Sequence, residues 1–213
     1  MDQPPENPTQ SDKAYKFLHE AILTHQLKAG FPILESEIAT QIGMSRTPVR
    51  EAINRLKAEG LLEAVPRKGV FVKTLSKEEI RHIYEMAEAL EGMIAYTIAE
   101  NFQNCDFSNL DDAVAKMQLA LQIDDIESWS IADESYHKAL YSLCQNSYLI
   151  NGISKMNNQI HLMRFTIPTR KEISFKEHQL TVKAIKIGDK AGAREMTQKH
   201  WERVRGEILA LVN

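Results

Sequence analysis

The chain is poor in the residues that staple, break or loosen a fold. It holds two cysteines in 213 residues. Cys105 and Cys144 are far apart and form no redox or metal-ligand pair, which excludes a disulfide scaffold and points to a reducing cytoplasm. Prolines number seven and glycines nine. Pro4, Pro5 and Pro8 crowd the polar start, so residues 1–11 read as a disordered tail. The other prolines are Pro32, at a turn after a helix, Pro48, in the first turn of one, Pro66, between two β-prone runs, and Pro168, at a break between helices. No apolar run approaches the ~20 residues that cross a bilayer. No cationic and apolar secretory pattern opens the chain, so no membrane partner is expected. Apart from the tail there is no repeat and no low-complexity segment.

Charge is also scarce in the net: −3 overall. Its distribution is uneven. Residues 43–73 carry seven basic side chains (Arg46, Arg50, Arg55, Lys57, Arg67, Lys68, Lys73) against Glu51, Glu59 and Glu63. Residues 76–213 carry sixteen basic and twenty acidic ones. A basic patch on an otherwise acidic chain fits a two-part binder.

The basic patch centres on a helix. At helical spacing, Val49, Ala52, Ile53 and Leu56 share one arc, and Arg46, Thr47, Arg50, Asn54 and Lys57 share the next. Such a helix buries one side and offers arginines on the other. That polar face suits the major groove of DNA, where arginine forks meet guanine edges and phosphates. A solvated helix face is the alternative. Ser45 is placed to cap this helix through its hydroxyl, with Pro48 in its first turn and Gly60 at its end. Before it, residues 12–28 form a helix ending near Gly30, and residues 35–41 a short one ending near Gly43. After it, Leu61–Val65 and Val70–Lys73 are β-prone runs around Pro66-Arg67-Lys68-Gly69. This order makes residues 12–75 a winged helix-turn-helix, the wing carrying Arg67, Lys68 and Gly69.

Beyond Leu75 the signal is all helical. Six helices are expected over about 77–101, 107–123, 126–145, 147–166, 171–187 and 189–212. Short connections make them antiparallel neighbours, so residues 76–213 form an all-α bundle and the whole chain is mainly α.

These residues carry a family resemblance. The run from Leu34 to Leu62, followed by Pro66–Val72, resembles the DNA-binding domain of GntR-family bacterial transcription regulators, and Ser45-Arg-Thr-Pro-Val-Arg-Glu-Ala52 is its most specific part. The helical remainder is similar to the FCD ligand-binding domain of the FadR subfamily, in its VanR-like branch. The resemblance implies a cytoplasmic homodimer on a palindromic operator, usually a repressor. It makes Arg46 and Arg50 base and phosphate contacts, with Ser45 and Thr47 beside them and Gly69 at the wing tip. Two departures stand out. Ser36 occupies a position where many relatives carry an arginine, which implies a different operator preference. Ala87 stands three residues before Leu90-Glu91, where many FCD domains carry an arginine for ligand.

Four residues of the bundle suit a metal. Asp133 and His137 are one helical turn apart, and His178 and His200 lie on the next-to-last and last helices. Three imidazoles and a carboxylate suit Zn²⁺, Ni²⁺ or Mn²⁺. Taken by spacing alone they equally read as core histidines. The resemblance implies the metal, because metal-binding FCD domains carry this Asp-x-x-x-His, His, His order. Such a set leaves coordination positions for waters or a small carboxylate effector. Asn157, His161 and Arg164 share a face of the fourth bundle helix and either line the effector pocket, with Arg164 on an anion, or make a helix or subunit contact. An open metal site also resembles a catalytic one, but no nucleophile or general-base motif accompanies it, so no enzyme is expected. A protein–protein adaptor is the other rival.

Overall fold

The computed structural model describes residues 8–24, 26–164 and 170–212. They fall into two compact units, Met1–Leu75 and Ser76–Asn213.

The first unit runs α1 (Gln10–Leu23), β1 (Pro32–Ile33), α2 (Glu35–Gln41), α3 (Arg46–Ala58), β2 (Leu62–Val65) and β3 (Gly69–Val72). Its first helix starts and stops earlier than its periodicity suggests. Thr9 and Asp12 form a reciprocal capping box, so Gln10 and Ser11 are helical rather than tail. Residues 1–7 of the expected tail lie outside the described residues. At the other end the Leu27 N–H donates to the Ala21 carbonyl at 2.9 Å. That six-residue reach closes a helix end, so Leu27 belongs to a turn.

The buried side of α3 is Val49, Ala52, Ile53 and Leu56, the arc the spacing predicts. It packs on α1, whose buried residues are Ala14, Leu18, Ala21 and Ile22. Around that seam, Tyr15 donates to Glu59 at 2.8 Å and Arg55 reaches Asp12 at 2.7 Å while lying over the Tyr15 ring. Ser45 holds the N-cap position, but its hydroxyl makes no capping bond. One of the two donors a cap would use is missing: the third helical residue is Pro48, which has no N–H to give. Leu56 has no solvent exposure. Leu56→Ala is expected to cost about 3 kcal/mol, read as a lower urea midpoint for the first unit. A loss under ~1 kcal/mol would mean that the seam closes around the void.

The wing is a three-stranded antiparallel sheet in the order β1-β3-β2. Leu62 to Val65 pair with Val72 to Gly69. The third strand, two residues pairing Pro32 with Phe71 and Ile33 with Val70, is too short to leave an alternation in sequence, and Pro32 reads there only as a turn. As an edge residue it needs no N–H. At the wing tip Lys68 N–H donates to the Val65 carbonyl, and both Arg67 (φ 63) and Gly69 (φ 111) adopt left-handed backbone. Gly69 does so without steric cost, whereas Arg67 holds a conformation that L side chains resist.

The second unit contains α4 (Lys77–Glu100), a 3-10 turn at Phe102–Asn104, α5 (Ser108–Gln122), α6 (Ile126–Leu143), α7 (Ser147–Arg164), α8 (Lys171–Lys186) and α9 (Lys190–Leu211). This is the expected helical bundle, with boundaries shifted by a few residues. Residues 165 and 166 of the expected fourth helix lie outside the described residues. Polar side chains cap the starts of several helices, among them a Ser76/Glu79 capping box on α4, Asp125 on α6, Asn146 on α7 and Asp189 on α9. Helix α4 packs on α7, α8 and α9, while α5 pairs with α6 and α8 with α9. The core between them includes Tyr84, Ile94, Ile98, Met117, Tyr136, Leu140 and Trp201. Met86 and Met93, which read as core fillers by their type, are exposed. No described helix is long and apolar enough to cross a membrane.

Candidate nucleic-acid interface and candidate metal centre

In the first unit, the residues expected to meet DNA lie on the surface. Ser45, Arg46, Thr47, Arg50 and Asn54 are exposed along α3, and Arg67, Lys68 and Gly69 are exposed at the wing tip. Their side chains are not all loose. Arg50 forks onto Glu35 of α2, with Nε at 3.0 and 3.1 Å from the two carboxylate oxygens and NH2 at 2.9 Å from one of them. Lys57 donates to the Asn54 amide oxygen at 3.0 Å, which turns the Asn54 N–H₂ group toward other acceptors. The fork holds the Glu35 carboxyl below its ordinary range.

In the second unit, α6, α8 and α9 bring His137, His178 and His200 together. One ring nitrogen from each lies within 4.8 Å of the others, and all three side chains are buried. Asp133, one turn before His137, places Oδ1 3.0 Å from His178 Nε2 and 4.0 Å from His137 Nε2. The four expected ligands therefore share one locus.

Sequence reasoning missed what stands behind the rings. His137 Nδ1 lies 3.2 Å from Glu91 Oε1. Glu91 comes from α4, is 1% exposed, and also accepts from Trp201 Nε1 at 2.8 Å and from the Tyr141 hydroxyl. His200 Nδ1 lies 2.7 Å from Glu177, which Arg203 grips through Nε and NH2. Arg203 in turn donates to Ser174 and Glu207. An ionised carboxylate only accepts, so each of these Nδ1 atoms carries the proton. That makes Nε2 the ring nitrogen through which each could ligate an ion. Such backing carboxylates fix ring orientation and raise ligand basicity at metal sites. A signal for Glu91 existed: it sits in the stripe Tyr84, Ala87, Glu91, Ile94, Ile98, where every neighbour is buried.

The electrostatics keep His178 and His200 neutral, the form in which an imidazole ligates. Burial, then the neighbouring His200, pulls the His178 imidazole down to about 3. Burial also lowers His200. Burial alone would raise the Glu177 carboxyl, but hydrogen bonds from His200 and Arg203 outweigh it and hold the group down to about 2. Burial, with Glu91 and Asp133 nearby, raises the Tyr136 phenol, whose ring stacks 4.1 Å from that of His178. His178 and His200, held neutral beside the ionised Glu177, are in the form that a divalent ion needs of its imidazole ligands. Ligand nitrogens ~2.1 Å from such an ion stand ~3–4 Å apart, against up to 4.8 Å here, so the rings need close by no more than about 1–2 Å. His178 Nε2 faces Asp133 at 3.0 Å, so ligation through that nitrogen would need the neutral ring to carry its proton on Nδ1.

The residues proposed for the effector are only partly placed. Asn157 is half-buried on α7. The side chains of His161 and Arg164 lie outside the described residues. Ala87 is fully buried on α4.

Comparison with known proteins matches residues 82–203 to the FCD domain and residues 10–72 to the model described as bacterial regulatory proteins, gntR family. A relative from Agrobacterium vitis, named an uncharacterized HTH-type transcriptional regulator in the TAR-I ttuE-ttuC' intergenic region, is 40% identical over 130 residues, spanning 60% of this chain and 76% of the relative. The HTH-type transcriptional repressor RspR of Escherichia coli is 25% identical over 198 residues, 90% of this chain and 87% of the repressor. Among solved structures, a GntR regulator from Rhodococcus sp. RHA1 superposes with a TM-score of 0.82 at 20% identity, covering 96% of this chain and 99% of that one. McbR/YncC of E. coli gives the same TM-score at 22% identity, with 96% and 99% covered.

Proposed function

Because the chain belongs to the GntR family of bacterial regulatory proteins and carries an FCD domain, we propose that it is a metal-dependent, ligand-responsive repressor. That it is a DNA-binding transcription regulator and not an enzyme follows from the family and from relatives named as regulators. A homodimer sets two α3 helices into a palindromic operator, with Ser45, Arg46, Thr47, Arg50 and Asn54 on the groove and Arg67, Lys68 and Gly69 on the flanking backbone. In the second unit Asp133, His137, His178 and His200 hold Zn²⁺, Ni²⁺ or Mn²⁺. The ion supplies a positive charge and open coordination positions, on which a small carboxylate metabolite is recognised beside α7, where Asn157, His161 and Arg164 are the candidate contacts. The cytoplasm is its setting.

The observation that carries this reading is the convergence of three buried imidazoles with Asp133, backed by Glu91 and Glu177. A regulator with no use for an ion has no reason to desolvate three histidines together. An effector acts only if its affinity differs between the DNA-competent and incompetent arrangements. Operator affinity measured across a series of small organic acids, with metal loaded and with metal stripped, tests this. Unchanged affinity at saturation by every acid sinks the effector reading, and unchanged response after stripping sinks the metal's part in it.

The DNA surface gives a separate prediction. Operator affinity is expected to fall steeply with salt, and Arg46→Ala to reduce the slope of log K against log [salt] by about one. A shallow slope, equal in wild type and variant, would favour a protein-binding role for the winged helix.

A further inference from the structure

Arg46 and Arg50 sit one turn apart on α3, yet only Arg50 is forked by a carboxylate. We propose that Glu35 is a positioning residue that presents Arg50 as the reader of one guanine edge, so that Arg50 contributes sequence discrimination and little phosphate attraction. This rests on the reading of α3 as the DNA-facing helix.

The donor count supports it. A guanidinium offers five N–H groups. Glu35 takes the Nε donor and one donor of NH2, which form one side of the planar fork. The two NH1 donors and the second NH2 donor remain, and the NH1/NH2 edge they share is the one turned away from Glu35. Two parallel donors on one edge match the N7 and O6 acceptors that guanine shows in the major groove. A fork holding a fork also fixes a long, flexible side chain before DNA arrives, so less freedom is lost on binding.

Charge favours the same role. Arg50 is 62% exposed in its side chain, but the carboxylate beside it cancels its field at a distance. A phosphate approaching that guanidinium also approaches Glu35. A base edge carries no net charge and meets no such repulsion. Glu35 itself is anchored: it is the first residue of α2, where a helix favours negative charge. Breaking the pair on DNA binding would leave that carboxylate facing phosphates, which makes an autoinhibitory pair the rival account.

The full chain tests this without a known operator. Selection from a pool of random duplexes yields its preferred site. Binding to every single base-pair variant of that site, across a salt series, is then measured for wild type, Arg50→Ala, Glu35→Ala, Glu35→Gln and the Glu35→Ala/Arg50→Ala pair. Melting curves establish that each variant is folded. Arg50→Ala is expected to lose about tenfold or more of the discrimination at one base pair per half-site, with its salt slope nearly unchanged. Glu35→Ala relaxes the same base pair, Glu35→Gln relaxes it less, and the double variant is no worse than Arg50→Ala alone. Discrimination at that base pair that is held or sharpened in Glu35→Ala overturns the positioning role and favours the autoinhibitory pair. Uniform weakening on all duplexes by Arg50→Ala, with the slope reduced by about one, makes Arg50 a phosphate contact and overturns the proposal as well. A wild-type chain with no sequence preference overturns the reading of α3 itself.

Discussion

Replacing His178 with alanine is expected to weaken Zn²⁺ or Ni²⁺ binding by a hundredfold or more. Loss of a mere backing partner at such a site typically costs ~10–100-fold, and His178 is a ligand candidate at the middle of the cluster. Its ring lies 5.4 Å from that of His137 and 4.5 Å from that of His200, with Asp133 on its Nε2. No other described histidine stands close enough to replace it. The same substitution separates ligand loss from simple damage, because the signature is in the metal response. Wild type held at a hundred times Kd of free metal gains about 2.7 kcal/mol, on the order of 5–10 °C in melting temperature. The variant gains none. Competition against a chromophoric chelator reads the affinity, and melts with and without metal read the coupling. Equal metal response in both proteins would return the three histidines to the role of core residues. Glu91→Gln serves as a graded control, since it keeps the shape of the carboxylate but gives up its charge beside His137.

The metal-free chain is expected to lose stability as pH falls from 7 to 5. The sign follows from the direction of the shifts. His178 titrates at about 3 in the folded chain against 6.5 when free, and His200 is likewise lowered. The unfolded chain therefore binds more protons below pH 6.5, and unfolding gains from each. Above 6.5 both groups are neutral in both states, and their contribution to stability is fully present. Below it, each costs up to ~1.4 kcal/mol per pH unit, and for His178 the loss continues to about pH 3. Glu177 adds only below its ordinary value of 4.5, since its carboxyl is held down to about 2 in the fold. Urea midpoints over pH 5–7 in the presence of chelator measure this slope, and His178→Gln should flatten it. Stability that does not change over this window would mean that water reaches the rings.

What could be read from the chain alone was whatever repeats locally. The two arcs of α3, the Pro66–Gly69 hairpin and the long helices leave a period in the sequence, and the structure has them. Strand β1 left none because two residues cannot alternate, and Leu27 misled because a turn closing a helix keeps an apolar residue in phase. The metal ligands were visible as residue types, aided by the resemblance, but their company was not. Glu91 meets His137 and Trp201 across 46 and 110 residues of chain. Nothing local tells a carboxylate in a helix that three donors will converge on it. Ser45 shows the opposite case: a capping residue by every local rule but one, since the proline three places on takes away one of the two donors it would use.

The burial of the imidazoles also sets a clock. Their side chains are 3–9% exposed, and Asp133, at 15%, is the most open of the four. An ion seated among these side chains would be largely shielded from water, least so at Asp133. Its exchange would then be timed by the rate at which α6, α8 and α9 part, an opening that ranges from microseconds to hours in packed helices. On the scale of a metabolite's rise and fall, such an ion behaves as a fixture of the protein, and the quicker exchange belongs to whatever fills its open positions.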